Sequence, residues 1–169
     1  MKLSDPAEAA VLGKATLPLI GREEQGRWDQ EVAEHHYLKN ANLVGERLCY
    51  VLKYQGQWLA LLGWSAAAYH LRVRDRWIGW DDNQRRARLR LVANNARFCL
   101  LTKPGQYPNL ASRALALNAA RLSRYWQKAC GHPILLVESF VDTQLFRGTA
   151  YKAAGWQAVG YSSGFKLGF

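Results

Sequence analysis

The stretch that most constrains the fold runs from Ala96 to Trp126, ARFCLLTKPGQYPNLASRALALNAARLSRYW. It opens on Phe98-Cys99-Leu100-Leu101, an apolar run of the length of a buried strand. Lys103-Pro104-Gly105 and Tyr107-Pro108 then break the chain, and Asn109 stands where a helix cap belongs. Beyond it Ala111, Leu115, Leu122, Tyr125 and Trp126 recur at helical spacing, with Arg113, Arg121, Arg124 and Lys128 away from that stripe. A strand feeding a helix through a tight loop leaves backbone N–H groups at the positive end of the helix dipole, which suits a phosphate or another anion. The same pattern also serves as a plain strand–helix joint in a core. Ser112, in the first turn, is placed either to donate to a phosphate or simply to cap.

Around this unit the pattern predicts one α/β domain. Residues 1–20 are weakly patterned and read as an arm ending near Pro18, with a single domain over 21–169. Trp28, Val32 and His35 or His36 share one side of a first helix, Arg22 to Leu38. Leu48–Tyr54 and Trp58–Trp64, joined by Gln55-Gly56-Gln57, read as an antiparallel hairpin. Ser65 is placed to cap a short helix through Ala66–Arg74, although Arg72-Val73-Arg74 also fits an alternating strand. Asp81-Asp82-Asn83 caps a helix reaching about Val92. Pro133–Val137 is a buried strand continuing to Val141, Asp142-Thr143 caps a helix from Gln144 to Ala154, and Trp156–Tyr161 is the last strand before a basic tail at Lys166.

Charge points to a partner. Residues 1–46 carry five bases and eight acids, whereas 47–169 carry 18 bases and five acids within an overall charge of +10. Such asymmetry suits a polyanion, nucleic acid first, or a generally basic surface. Between Arg72 and Arg97 every base is an arginine: Arg72, Arg74, Arg76, Arg85, Arg86, Arg88, Arg90 and Arg97, with Trp77 and Trp80 among them. Guanidinium groups grip phosphates in a bidentate way and stack on aromatic rings. Interleaved with indoles they suit single-stranded or distorted nucleic acid. A solvated helix face partly neutralised by Asp75, Asp81 and Asp82 is the simpler alternative.

Glu138, at the end of a buried strand, stands where open α/β sheets place a base or a substrate anchor. A paired structural carboxylate fits equally well. Glu34-His35-His36-Tyr37 suggests acid–base or metal chemistry, but adjacent histidines on a helix point apart and make a poor ligand pair. No metal is expected. Cys49, Cys99 and Cys130 are odd in number and form no CxxC pair, so neither a disulfide framework nor a zinc site is expected. The start resembles no secretory signal, and no apolar run approaches the length of a membrane span. The expected setting is the cytoplasm, without a membrane partner.

Two resemblances add to this reading. The order of hairpin, strand, anion-ready loop, long helix, strand, aromatic-bearing helix and short strand is similar to that of the GCN5-related N-acetyltransferases (GNAT), a mixed central sheet flanked by helices. In that family a Gln/Arg-x-x-Gly-x-Gly/Ala loop holds the coenzyme A pyrophosphate. Gln106-Tyr107-Pro108-Asn109-Leu110-Ala111 fits the frame except for Asn109 in place of the first glycine, beside Pro108. Tyr151-Lys152-Ala153-Ala154-Gly155-Trp156 resembles the family's Tyr-x-x-x-Gly-Phe, whose tyrosine often protonates the departing thiolate. This resemblance implies an acyl-CoA or another phosphate-bearing ligand at Gln106, Asn109, Leu110, Ala111 and Ser112. Tyr151 would be the acid, and Glu138 or Glu34 the base.

The strings AEHHYL (33–38), RDRWIGW (74–80), ANNARFCLL (93–101), YPNLASRAL (107–115), VESFVD (137–142) and FRGTAYKAAGW (146–156) resemble the DUF4338 family nearly end to end from residue 20. That family includes the DruA component of the Druantia anti-phage system, and its domain also occurs in front of transposase-like regions. The resemblance implies phage defence or transposition, alongside separate proteins of such systems. Three functions are therefore expected in order: a nucleic-acid-binding GNAT-like module, an acyl-CoA-dependent N-acyltransferase or related group-transfer enzyme, and a structural subunit binding proteins through exposed tryptophans.

Overall fold

The computed structural model describes residues 6–162 and 167–168. Its centre is a hairpin of two apolar runs, β1 (Arg47–Tyr54) and β2 (Gln57–Ala66). Gln55 and Gly56 both take positive φ, 47° and 78°, the geometry a two-residue hairpin turn needs to match the strand twist. β2 pairs antiparallel with β3 (Val92–Leu100), and β4 (Leu136–Glu138) adds parallel to β3. A smaller sheet follows in the order β5 (Phe140–Val141), β7 (Leu167–Gly168), β6 (Gly160–Tyr161). The architecture is the expected mixed α/β domain.

Period-two alternation gives β1 two buried faces. Leu48, Tyr50 and Leu52 meet the long helix α5 (Leu110–Cys130) through Leu115, Leu122 and Trp126. Cys49 and Val51 meet α2 (Gln25–His35) through Trp28 and Val32. Trp28 lies so close to β2 that a Cβ on Gly63 would stand 2.9 Å from its ring. Trp64 crosses the core to α5, where its indole N–H donates to Asn118 Oδ1 at 2.6 Å.

Several expectations need correction. Residues 6–20 are no loose arm: α1 (Pro6–Lys14) buries Glu8 and Val11, Leu17 enters the core, and Thr16 and Leu19 bridge to Lys53 and Tyr50 of β1. Few apolar side chains are needed to anchor a segment whose backbone joins a sheet edge, so its pattern looked weak. The first helix ends at His35, not Leu38. Instead of an element at Ala66–Arg74, the chain forms α3 (Arg72–Ile78), closed by Gly79 at φ 84°. The capped helix over the following residues is α4 (Asp82–Arg88) with a 3-10 turn to Leu91.

The last helix, α6, spans only Thr149–Ala153. Asp142 instead closes a turn, its carbonyl accepting from Leu145 and Phe146 N–H, and Gly148 at φ 67° precedes the helix. The final strand is confined to Gly160–Tyr161 and β7, and the tail at Lys166 lies outside the described residues.

Two features shape the site. β3 and β4 pair only at Val92–Leu136, Ala93–Val137 and Asn94–Glu138, and beyond these the strands part. β3 also bulges between Asn95 and Arg97 opposite Trp64 and Gly63. Moreover β2 and β3, sheet neighbours that a tight turn could join, are connected by residues 67–91, which carry α3 and α4.

Candidate functional site

The arginines of this connection divide into two sets. Arg74 is buried, donating from Nη1 to Glu138 Oε2 at 3.0 Å and to the Ala68 carbonyl at 2.7 Å, and from Nε to Asp75 Oδ1 at 2.9 Å. Arg85, also buried, donates from Nη1 to Asp75 Oδ2 at 3.2 Å and Asp82 Oδ1 at 2.9 Å. Asp75 therefore joins α3 to α4, and Glu138 joins both to β4. The Ala68 N–H completes the site by donating to Glu138 Oε1 at 3.0 Å. A reciprocal capping box fixes α4: Asp81 Oδ1 accepts from Gln84 N–H at 2.7 Å and Gln84 Oε1 from Asp81 N–H at 3.0 Å.

Arg72, Arg76, Arg86, Arg88 and Arg90 are exposed, as is Trp77, while Trp80 is half-buried. Arg97 lies elsewhere, on β3, with Nη2 donating to the Asn42 carbonyl at 3.0 Å and Nε to that of Asn40. Burial pushes its pKa down. Arg74, Arg85 and Arg97 therefore serve the protein's own oxygens rather than a ligand, a correction to the eight-arginine face. Sequence alone cannot separate the two sets, because Asp75 and Glu138 choose the inner one through tertiary contact.

Where β3 and β4 part, a cleft of about 450 Å³ opens. Its floor is a hydrogen-bonded trio absent from the sequence reading except for Tyr151. Tyr151 Oη donates to Asn95 Oδ1 at 2.8 Å. Ser139 Oγ lies 2.9 Å from Tyr151 Oη and 3.0 Å from the Asn95 carbonyl oxygen, sharing its proton between them. Burial pushes the Tyr151 phenol up to about 12, so it keeps its proton at neutral pH. Tyr37, Phe98, Phe140 and Phe146 supply aromatic walls, and Arg147 is exposed at the rim. An asparagine inside a strand was a usable signal, since strands are depleted in it.

Glu138 does not join Tyr151 here. It ends β4 with its carboxylate on Arg74, whereas Ser139, in the break between β4 and β5, turns its hydroxyl to Tyr151 and the Asn95 carbonyl. Burial raises its pKa, against the pull of Arg74. Glu34 is exposed on α2, its Oε1 accepting from Gln30 at 3.1 Å, and does not line the cleft, unlike His35, His36 and Tyr37. The pairing of a Glu base with Tyr151 in one cleft is thus not assembled. Glu31, Glu34 and His35 bring ligand atoms within 4.8 Å of one another on the same helix, and such exposed groups are common without an ion.

The loop before α5 answers the cofactor question. Glu8 of α1, 1% exposed, lies at the helix start: its Oε1 accepts from Asn109 N–H at 2.6 Å and its Oε2 from Asn109 Nδ2 at 3.1 Å. The anion this helix end attracts is the chain's own carboxylate. Pro108 has no N–H to offer and Asn109 fills space a glycine would leave. Gln106 turns back on Lys103, its Oε1 accepting from that N–H at 3.1 Å, and Ser112 Oγ donates to the Asn109 carbonyl at 3.1 Å. Leu110 is buried, and only Ala111 of this loop lines the cleft. These residues do not fit a coenzyme A pyrophosphate. Glu8 was missed because nothing local marks a lone acid as the partner of a loop a hundred residues away.

The fold defined by this splayed sheet and its helices is that of the GCN5-related N-acetyltransferases. A structure of AAC(6')-Ib with ribostamycin and coenzyme A matches with a TM-score of 0.57 and 11% identity, covering 91% of this chain and 90% of that one. Aminoglycoside acetyltransferase AAC(6')-Ib with coenzyme A and kanamycin matches with a TM-score of 0.54 and 11% identity, covering 92% and 94%. At that identity the likeness concerns the fold alone. The family described as Druantia protein DruA matches residues 10–167, and the chain belongs to the DruA family. Among curated proteins no sequence matches.

Proposed function

We propose that this chain is a nucleic-acid-binding module built on an acetyltransferase fold and working in anti-phage defence or transposition, the setting its family suggests. One observation carries the reading. Arg72, Arg76, Arg86 and Arg88 and the indole of Trp77 are exposed on two helices, with Arg90 on the turn after the second, and buried Arg74, Asp75, Arg85 and Glu138 fasten those helices to the sheet. Exposed cations on a fixed frame meet phosphates without first having to be ordered.

Binding of a fluorescent oligonucleotide, followed by anisotropy across a salt series, tests this. Contacts to about five phosphates give a slope of log affinity against log salt of roughly −3 to −5. Salt-independent binding, or full affinity in an Arg86→Ala/Arg88→Ala/Arg90→Ala variant, overturns the reading.

The aromatic cleft over Asn95, Ser139 and Tyr151 supports a second reading, a small-molecule or group-transfer site. Its acyl-CoA form is opposed by the Glu8 carboxylate at Asn109. Calorimetric titration with acetyl-CoA separates the two: heat of binding favours the acyltransferase, and its absence favours a site for another ligand.

A further inference from the structure

Residues 67–91 help enclose a second cavity, of about 400 Å³, bordered by Leu136, Val137 and Glu138 of β4, the edge strand of the sheet. Leu71, Val137 and Val159 give it apolar walls, and Trp77 and Trp156 both border it. The indoles differ in freedom. Trp156 packs against Tyr151 and Trp64, with ring centroids 5.1 and 6.2 Å away, whereas Trp77 is 49% exposed. Arg74 and Glu138 also line the cavity, but their charges are matched to each other, to Asp75 and to backbone groups. Gln157 adds one amide to the lining, and the rest of the cavity offers a flat molecule aromatic and aliphatic contact.

The surroundings add charge. Arg72 and Arg76 are exposed on the same short helix as Trp77. A nucleotide within a strand has this complementary form: a flat base with a phosphate on either side. We infer that this cavity receives one unstacked base of a single-stranded nucleic acid, held against Trp77 and Trp156 while Arg72 and Arg76 take the flanking phosphates. The inference rests on the proposed nucleic-acid reading and adds a stacking site that charge alone does not require. Every base has a π-face, so the site is tolerant of sequence.

The test compares an oligothymidylate with an abasic oligonucleotide of the same length and charge, using the full chain. Both bind through phosphates, but the base-bearing strand binds about tenfold tighter or better, and only it quenches tryptophan fluorescence. Trp77→Ala abolishes that preference. So does Ala154→Leu, which fills the cavity and leaves Trp77 in place. Arg86→Ala/Arg88→Ala/Arg90→Ala weakens both strands alike. Thermal melts establish that each variant is folded, and quenching in the unsubstituted chain needs no variant. Equal affinity of the unsubstituted chain for the two strands overturns the stacking site and leaves the basic-face reading standing. A preference kept by Ala154→Leu but lost in Trp77→Ala also overturns it, since the base then stacks outside the cavity. Failure to bind either strand at low salt overturns both readings.

Discussion

Glu8 and Asn109, a hundred residues apart in the chain, meet through two hydrogen bonds at the start of the longest helix, one from the Asn109 backbone N–H at 2.6 Å and one from its side-chain amide at 3.1 Å. An internal carboxylate therefore stands where a bound anion would gain most from the helix end. Loss of that acceptor takes a partner from buried donors of Asn109. Glu8→Ala is expected to destabilise the fold by about 1–3 kcal/mol in urea melts, and Glu8→Gln, which keeps an acceptor, by less.

The same contact predicts an outcome for the cofactor. Acetyl-CoA at millimolar concentration is expected to give no saturable heat with the unsubstituted chain. A well-defined isotherm with micromolar affinity counters the assignment of Glu8 as a fixed occupant.

The buried pair of Arg74 and Glu138 predicts unequal single and double variants. Removal of one partner strands a charge, so Arg74→Met is expected to cost about 3–5 kcal/mol, whereas Arg74→Met/Glu138→Leu recovers a large part. Equal losses in the two variants contradict this. Titration supplies a second check. Burial raises the folded-state pKa of Glu138 above its unfolded value. The folded state then binds more protons in the interval between those two values, so the contribution of Glu138 to stability falls as pH rises through it and is constant above. Glu138→Gln is expected to remove that part of the pH slope.

Tyr151 gives a spectroscopic prediction. With its phenol held up to about 12, its phenolate absorbance appears well above the range of an exposed tyrosine. Comparison of Tyr151→Phe with the unsubstituted chain should therefore show no lost absorbance step near pH 10. A step there means that the phenol is not buried in solution.

Gly63 predicts a steric effect. A Cβ there stands 2.9 Å from Trp28 Cη2 and 3.1 Å from Arg97 Cβ. Gly63→Ala is expected to cost about 1–3 kcal/mol by overpacking, read as a lowered melting temperature. An unchanged melt shows that α2 can move aside.

What could be read from the sequence, and what could not, follows from the range of the forces involved. The hairpin at Gln55-Gly56, the cap at Asp81 and the long helix after Asn109 depend on neighbours in the chain, and all three lie where periodicity and turn chemistry put them. The partition of the arginines was hidden because Arg74 and Arg76 look alike until Glu138 approaches one of them. The separation of Glu138 from Ser139 was hidden too, since the run read as one strand breaks at Ser139, between β4 and β5. Nor was the role of Glu8 legible, because only tertiary packing brings α1 to the Asn109 loop, and no local pattern marks that contact.

The excursion at 67–91 leaves β2 and re-enters β3 at positions already paired, with Ala66 opposite Ala93. A graft or deletion there would leave the strand register intact, so the arginine-bearing helices behave as an interchangeable cassette on a fixed chassis. Ties to Glu138 limit the exchange: Arg74 of the cassette neutralises that carboxylate of the chassis, and the Ala68 N–H donates to it. Any replacement must bring a cation to that position or be accompanied by the loss of the acid, so the scaffold screens what it can carry.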